Sequence, residues 1–186
     1  MSSSEISVSE IEGVRILEIA CSADNRGTFL KYEDFNQLSD PLGSVAISIN
    51  PIAGTIRGLH FQTFPFAEEK IISCLQGSIY EVFVDLRPNS SSFGKFATIQ
   101  LSDQNFNQVY LPKGIAHGFQ TLLPDTILHY FLTSQYSLLH ANVLNPFENL
   151  NIKWPIKNAL ISERDKEGMS FENAAQKYAQ SLLDFQ

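Results

Sequence analysis

The chain has little of three things that would assign it to an easily recognised class: cysteine, long apolar runs and positive charge. Its two cysteines, Cys21 and Cys74, fit neither a disulfide framework nor a metal-binding spacing, and their apolar surroundings predict buried free thiols. No apolar run reaches the roughly 20 residues of a membrane span, and the polar start "MSSSEISVSE" is unlike a secretory signal. A net charge of -7 argues against binding to nucleic acid or anionic membranes. We therefore expect a cytoplasmic protein.

The sequence is rich in aromatic residues and in short segments that alternate between apolar and polar. Fourteen Phe and six Tyr among 186 residues favour β-sheet. Strand-like segments recur about every ten residues, with turn residues between them. They lie at 13–20, 44–49, 55–62, 70–86 with a hinge at Gly77, 96–102, 108–112, 117–123 and 126–134. This spacing predicts an all-β sandwich or barrel in a single domain over residues 1–186.

The C-terminal segment has a different period. In "SFENAAQKYAQSLLDFQ" the apolar residues recur at helical spacing, and Ser170 is a suitable N-cap. This pattern predicts one amphipathic helix at about 170–184 that packs on the barrel.

Two strands carry polar residues where a core would be apolar. In "SIYEVFVDL" one face holds Glu81 and Asp85, and either a polar pocket or a solvent-facing edge fits that pattern. In "TIRGLHFQ" strict alternation places His60 and Gln62 on one face and Arg57 on the other. A bulge at Gly58 would re-aim one of them.

Two spacings resemble the sequence motifs of the cupin double-stranded β-helix. They are G-x5-H, which ends at His60, and P-x-G-x-x-H, which ends at His117. Metal-binding cupins have a second histidine two residues after the first, whereas this chain has Gln62. Because an amide oxygen is a poor ligand for a transition metal, we predict no metal site.

Eight short sequence features occur in the following order: "DNRGTF", "GTIRGLHFQ", Lys70, "VDLRPNSSSFGKF", "LPKGIAHGFQTL", "HYFLTSQY", "IKWP" and "SERD". Together, over about residues 13–166, they resemble the dTDP-4-dehydrorhamnose 3,5-epimerase family. The resemblance implies a cupin-type jelly roll that inverts the carbons flanking the ketone of nucleotide-linked 4-keto-6-deoxyhexoses. It also implies that no cofactor is needed and that the protein is a homodimer in which an N-terminal strand joins the partner.

The resemblance implies four catalytic residues. His60 is the general base, and Asp165 orients its imidazole. Lys70 lies beside the C4 oxygen, and Tyr130 is the acid that reprotonates carbon from the opposite face. The implied substrate-binding residues are Arg57, Gln62, His117, Tyr136, Arg164, Phe29 and Arg26, with Arg26 reaching the diphosphate of the neighbouring subunit's site.

These residue types suit the chemistry, although each has a structural alternative. Histidine titrates near neutral pH, an ammonium stabilises an enolate, and tyrosine stays protonated as an acid. Taken singly, Lys70 also fits a solvated edge and Tyr130 a core position beside Leu128 and Leu132. Asp165 also fits a capping box with Ser162. Tyr130 and Tyr136 are about 20 Å apart in an extended chain, so only Tyr130 is assigned as the acid.

The chain departs from the family at Glu81, where Asp is usual, and in segment 137–153, where the usual Glu and Gly are missing and Asn145 precedes Pro146. These changes leave open the sugar and whether C3, C5 or both are inverted. Three rival functions also stay open: a mono-epimerase on a related nucleotide-sugar, a non-catalytic cupin that binds sugar nucleotides, and a metal-dependent cupin oxygenase.

Overall fold

The computed structural model describes residues 7–32, 34–147 and 150–185. Within those ranges it contains thirteen strands, two α-helices and two short 3-10 helices, at Val8–Glu10 and Asp34–Gln37. The strands are β1 (Arg15–Glu18), β2 (Ala20–Asp24), β3 (Gly27–Lys31), β4 (Ser44–Asn50), β5 (Thr55–Gln62), β6 (Lys70–Gln76), β7 (Ser78–Asp85), β8 (Phe96–Ser102), β9 (Asn107–Leu111), β10 (Ile115–Thr121), β11 (Thr126–Leu132), β12 (Ala141–Val143) and β13 (Leu160–Ile161); the helices are α1 (Glu163–Lys166) and α2 (Phe171–Phe185).

Two sheets face each other and form the predicted jelly roll. One has the strand order β1-β9-β6-β11-β4, and the other has the order β12-β5-β10-β7-β8, with β13 parallel to β5. The apolar layer between them contains Ile72 and Leu128 from the first sheet and Ile79, Phe83 and Phe119 from the second. The sheets therefore enclose a common core, and one end of the space between them remains open for a site.

The strand pattern follows the sequence closely along the middle of the chain. The hinge predicted at Gly77 separates β6 from β7, and the predicted helix lies at Phe171–Phe185. The sequence pattern did not predict β2 and β3, which form a separate two-stranded hairpin. Every residue of these two strands is exposed except the half-buried Leu30. The hairpin therefore packs on no core of its own chain, and its sequence shows no alternation of apolar and polar residues that would reveal the strands.

The second sheet is covered on both faces, so the polar residues of β7 do not face solvent. Val82 and Val84 face a separate core formed with Ala174 and Ala175 of α2. Glu81 lies on the opposite face, toward the first sheet, and is completely buried. The alternative of a solvent-facing edge is therefore wrong, and the apolar stripe of α2 serves for packing, as expected.

Strand β5 contains the predicted bulge at Gly58. Opposite β10, His60 pairs with His117 and Arg57 with Phe119, so two residues of β5 face the single residue Gly118. The extra residue turns Arg57 to the side of His60, and both line one cavity. Strict alternation, which placed them on opposite faces, is wrong here.

The two cysteines differ in exposure. Cys74 is a buried free thiol, as predicted, whereas Cys21 is exposed on the hairpin, so the expectation of burial is wrong for Cys21. Among the described residues, no helix combines the length and the apolar character of a membrane span.

We expect Gly58→Ala to lower the free energy of unfolding by roughly 3 kcal/mol, measured by urea denaturation. Gly58 has φ +120, which strains any residue with a side chain. A Cβ there would also lie 2.6 Å from Gly118 Cα and 2.7 Å from the His117 carbonyl oxygen.

Gly27→Ala is the matched control, because Gly27 also has a positive φ, +134, but no atom lies within 4 Å of its added Cβ. It isolates the backbone strain, which costs about 1 kcal/mol. If both variants lost the same free energy of unfolding, the close approach of β5 and β10 would not be the cause of the loss in Gly58→Ala.

Candidate active site

A cavity of about 480 Å3 opens between the two sheets. Its volume lies in the range of sites that enclose small organic ligands. It brings together eight of the eleven predicted site residues, from β5, β6, β10, β11, the loop after β11 and α1. These eight are Arg57, His60, Gln62, Lys70, His117, Tyr130, Tyr136 and Arg164.

Asp165 lies directly behind His60. The imidazole Nε2 of His60 is 2.8 Å from Asp165 Oδ1, and the backbone N–H of Gly58 donates to Asp165 Oδ2 at 3.1 Å. The side chain of His60 is 39% exposed and that of Asp165 only 7%, so the carboxylate is covered and the imidazole faces the cavity. This pairing makes Nε2 the protonated nitrogen and leaves Nδ1 with a lone pair.

A short parallel strand brings Asp165 to this position from the far end of the sequence. Leu160 and Ile161 of β13 pair with Thr55 and Ile56 of β5. Ser162 then caps α1 by accepting the N–H of Asp165 at 3.2 Å. Ser162 therefore forms its half of the capping box, but the side chain of Asp165 bonds to His60 and Gly58 instead of completing it.

The ionised form of Asp165 is favoured in the fold. Burial pushes the pKa of its carboxyl upward, but hydrogen bonds from His60, Gly58 and Ser162 outweigh burial, so the net pKa lies below the ordinary value of 3.8. An ionised Asp165 fixes the imidazole orientation and stabilises an imidazolium when one forms.

Lys70 and Tyr130 come from the sheet opposite His60. On β11, Tyr130 pairs with Ile72 of β6, and the next inward residue, Leu132, pairs with Lys70. Burial raises the pKa of Tyr130 well above its ordinary value of 10. Tyr130 is therefore a protonated phenol at neutral pH and is able to donate.

His117 lines the same cavity as Lys70 and Tyr130, and its imidazole is bonded to Glu81. Its Nδ1 is 2.8 Å from Glu81 Oε1, in the buried part of the site. Burial raises the pKa of Glu81 and lowers that of His117, and the charges of Lys70 and His60 lower the pKa of His117 further. The pair therefore shares one proton and has no net charge.

The cavity mouth carries two guanidinium groups. Arg57 Nε donates to Asn50 Oδ1 at 2.8 Å, which holds the side chain at the wall. Arg164 donates to the hydroxyl of the exposed Tyr136 at 3.4 Å. The chain turns after β11 ends at Leu132, and this turn allows Tyr136 to share the cavity with Tyr130.

Gln62 lines the cavity, but its amide is occupied by the protein itself. The amide nitrogen donates to the carbonyls of Phe66 and Gln135, and the amide oxygen accepts from the Ser137 N–H at 2.8 Å. Gln62 therefore holds the loop that carries Tyr136. A direct contact between Gln62 and substrate stays a prediction.

Arg26 and Phe29 lie away from the cavity of their own chain. Both are on the exposed β2–β3 hairpin, where Arg26 pairs with Asp24 at 2.6 Å. Their contribution to a site therefore requires a second subunit.

Sequence reasoning missed one charged residue of the cavity. Glu68 lines it and lies 2.9 Å from Lys70 Nζ. Its position two residues before the predicted lysine was the available signal. The other missed polar lining residues with potential to contact a ligand are Ser44, Ser48, Gln135 and Asn142.

The altered segment 137–153 divides between two locations. Ala141 and Asn142 line the cavity, whereas Asn145 packs against the α1–α2 connection, with its N–H bonded to the Met169 carbonyl. Residues 148 and 149 lie outside the described ranges.

Two other observations concern alternative locations for a site and the possibility of a metal centre. A second cleft of about 640 Å3 lies between α2 and residues 63–65 and 139–140, and it contains none of the predicted site residues. Within the part of the chain that the structure describes, no three His, Cys, Asp or Glu side chains converge to hold a metal ion.

The chain is similar to known proteins over nearly its whole length. The family model for dTDP-4-dehydrorhamnose 3,5-epimerase matches residues 8–173. A dTDP-4-dehydrorhamnose 3,5-epimerase of Shigella flexneri is 34% identical over 89% of this chain and 94% of its own.

Solved structures show the same likeness. The dTDP-4-dehydrorhamnose 3,5-epimerase of Bacillus anthracis, with TDP and PPi bound, aligns at a TM-score of 0.80 and 36% identity, over 84% of this chain and 93% of its own. A 3'-monoepimerase from Streptomyces bikiniensis in complex with dTDP-quinovose aligns at a TM-score of 0.83 and 26% identity, over 94% and 93%.

We expect Asp165→Asn to lower the free energy of unfolding by about 2 kcal/mol at pH 5, because the variant loses hydrogen bonds to an ionised acceptor. Folding lowers the pKa of Asp165, so its contribution is present above the unfolded value and is lost as the pH falls through the folded value. The gap between wild type and variant should therefore close below pH 4, which chemical denaturation between pH 2.5 and 5 measures.

The control is Asp184→Asn on α2, where the carboxylate is exposed and accepts only from Gln180. We expect little difference from wild type at any pH. A gap for Asp165→Asn that persists unchanged in acid would contradict the ionised carboxylate as its source.

Proposed function

Because the chain belongs to the dTDP-4-dehydrorhamnose 3,5-epimerase family, we propose that it inverts C3, C5 or both in a dTDP-4-keto-6-deoxyhexose for deoxysugar biosynthesis. The reaction needs no cofactor. The observation that carries the proposal is the placement of His60 and Tyr130 on opposite sheets, with the cavity between them. A base and an acid on opposite sides of a sugar ring are what inversion requires.

In the first step, His60 Nδ1 takes the proton from the carbon beside the ketone. The C–H electron pair becomes a C=C bond, and the carbonyl π pair moves to O4. Asp165 stabilises the imidazolium through Nε2–H, 2.8 Å away. General-base catalysis of this kind contributes about 10²–10⁴-fold.

In the intermediate, the negative charge on O4 is stabilised by the ammonium of Lys70. This side chain is only 10% exposed, so little water competes for the developing charge. Removing one such charge-stabilising donor costs about 10²–10³-fold in other enzymes. Because this enolate chemistry uses protein side chains alone, no step requires a metal.

In the last step, Tyr130 donates its proton to carbon from the other face. The C=C pair forms the new C–H bond, and the ketone is restored. The raised pKa of Tyr130 keeps its phenol protonated until the enolate forms. After the transfer, the resulting phenolate is reprotonated from solvent.

We further propose that the working unit is a cytoplasmic homodimer. Strand β4 is the edge of its sheet and exposes Val45, Ile47 and Ile49 in a row beside the cavity. An exposed apolar edge strand is a site for pairing with another chain. The exposed hairpin with Arg26 and Phe29 fits such a partner, because a second copy would bring these residues to the cavity mouth and add a cation for the diphosphate.

A mono-epimerase is the second candidate function. The Streptomyces bikiniensis 3'-monoepimerase has a TM-score of 0.83 and the Bacillus anthracis 3,5-epimerase one of 0.80, so the fold of this chain fits both classes of enzyme. The number of carbons inverted therefore depends on finer positioning of the sugar over His60 than the fold alone provides.

The test of the function is incubation with dTDP-4-keto-6-deoxyglucose in deuterated water, followed by NMR at C3 and C5. We expect deuterium and inverted configuration at one or both carbons. His60→Asn should lower exchange at least about 100-fold. Tyr130→Phe should retain exchange but lose the inverted product, because deprotonation survives while delivery to the other face is lost.

Tyr80→Phe is the matched control, since Tyr80 packs against Trp154 outside the cavity, and it should match wild type. Deuterium at one carbon only would establish the mono-epimerase. Tight binding of dTDP-sugars without exchange would favour the non-catalytic cupin, and stoichiometric iron or manganese would favour the oxygenase. Either of the last two results would contradict the proposal.

For the dimer, we expect Ile47→Asp to give a monomer in sedimentation velocity and to lose most activity, because the charge is buried in the interface and the partner's hairpin is no longer supplied. Leu183→Asp is the control, since Leu183 of α2 is 66% exposed and Ile47 60%, and it should remain dimeric.

A subunit-mixing experiment tests whether the site is shared. Arg26→Ala and His60→Asn proteins should each be nearly inactive, but an equal mixture that exchanges subunits should regain about a quarter of wild-type activity, since half of the dimers then have one intact site. No recovery would mean that Arg26 does not act across the interface.

A further inference from the structure

Glu68 has a position in the cavity that the proposed function does not use. Among the described residues that line the cavity, it is the only aspartate or glutamate. Its Oε1 lies 2.9 Å from Lys70 Nζ, and the two side chains are 7% and 10% exposed. This is a covered ion pair, unlike a surface pair that water screens.

A buried ammonium needs a counter-ion, because an uncompensated charge away from water is costly. The charge of Lys70 affects the pKa of Glu81 on β7 and of His117 on β10. The other titratable groups that line the same cavity, besides Glu68, are Arg57 and His60 on β5, Tyr130 on β11, Tyr136 and Arg164. Burial raises the pKa of Glu81, and Glu81 is bonded to His117. His60 and His117 supply no negative charge, and Tyr130 stays neutral. Glu68 is therefore the remaining counter-ion.

The next residue along the chain shows that the contact is specific to Glu68. Glu69 is also covered, at 3% exposed, but it lies outside the cavity, where it accepts the Ser39 N–H at 2.8 Å and the Tyr110 hydroxyl at 2.5 Å. Adjacent residues in an extended segment point to opposite sides, so one glutamate anchors the outer loop and the other meets Lys70.

We propose that Glu68 is a positioning residue of the reaction: its carboxylate keeps Lys70 as an ammonium ion and fixes it toward the O4 atom of the substrate. This inference rests on the proposed function, since Lys70 has a catalytic role only in the epimerase reaction. The same contact also weakens the attraction of Lys70 for the enolate, because part of its charge is already compensated.

The proposal predicts a pH-dependent effect of Glu68→Gln. Without the counter-ion, Lys70 should lose its proton at lower pH, so the alkaline limb of the kcat/KM profile should move down by at least about one pH unit. Below that limb kcat should fall about tenfold with little change in KM, because the ammonium of Lys70 is no longer fixed toward O4. Tyr130 does not produce this limb, since its pKa lies well above 10.

Labelling of the free protein gives a readout that does not depend on turnover. Acetylation of Lys70 by acetic anhydride, followed by peptide mass spectrometry across pH 6–11, should begin at lower pH in Glu68→Gln than in wild type. Glu69→Gln removes the same charge one residue away, and it should leave both the pH profile and the labelling of Lys70 unchanged even if it lowers stability. Glu68→Asp should restore the alkaline limb but lower kcat, because the shorter side chain moves the ammonium.

Each alternative role gives a different result. A higher KM with an unchanged alkaline limb would mean that Glu68 binds a substrate hydroxyl, and lower thermal stability with unchanged labelling would mean a purely structural contact. Either outcome overturns the inference. If the wild-type protein shows no exchange with any 4-keto sugar nucleotide, the proposed function fails, while the labelling experiment still decides whether Glu68 holds Lys70.

Discussion

The carboxylate of Asp165 is the contact on which the catalytic arrangement depends, because it holds two parts of β5 at once. One oxygen accepts the N–H of Gly58 in the bulge, and the other pairs with the imidazole of His60. The bulge is what places Arg57 and His60 on the same side of the strand. Asp165, over a hundred positions away in sequence, therefore holds the bulge at Gly58 and fixes the orientation and the protonated nitrogen of the His60 imidazole.

The rest of the site follows from having two sheets that face each other. His60 and the neutral His117–Glu81 pair belong to one sheet, and Lys70 and Tyr130 belong to the other. The environment keeps Asp165 ionised and Tyr130 protonated, and Lys70 lies 2.9 Å from Glu68. Charge compensation inside the cavity is local, which lets a protein of net charge -7 present guanidinium groups at the mouth.

Where a strand is paired on both sides, its sequence pattern predicted its structure well. The segments on either side of Gly77 are examples, since β6 and β7 both lie inside their sheets. The pattern failed where packing partners are absent or where backbone geometry changes. The β2–β3 hairpin has no core of its own, so burial does not shape its sequence, and Cys21 there is exposed. The direction of Arg57 depended on the bulge at Gly58, which shifts the register between β5 and β10. Alternation along one strand does not predict such a shift, although the glycine indicated where it could occur.

The sequence by itself determined the fold class and the helix at the C-terminus, because apolar period and turn residues are local properties, and its resemblance to a known family supplied the candidate site residues. Only the tertiary structure decided which of those groups meet. It placed Asp165 behind His60, turned Glu69 outward while Glu68 meets Lys70, and committed the amide of Gln62 to a loop. Such contacts depend on distances between residues far apart in the chain, and a one-dimensional pattern carries no information about those distances.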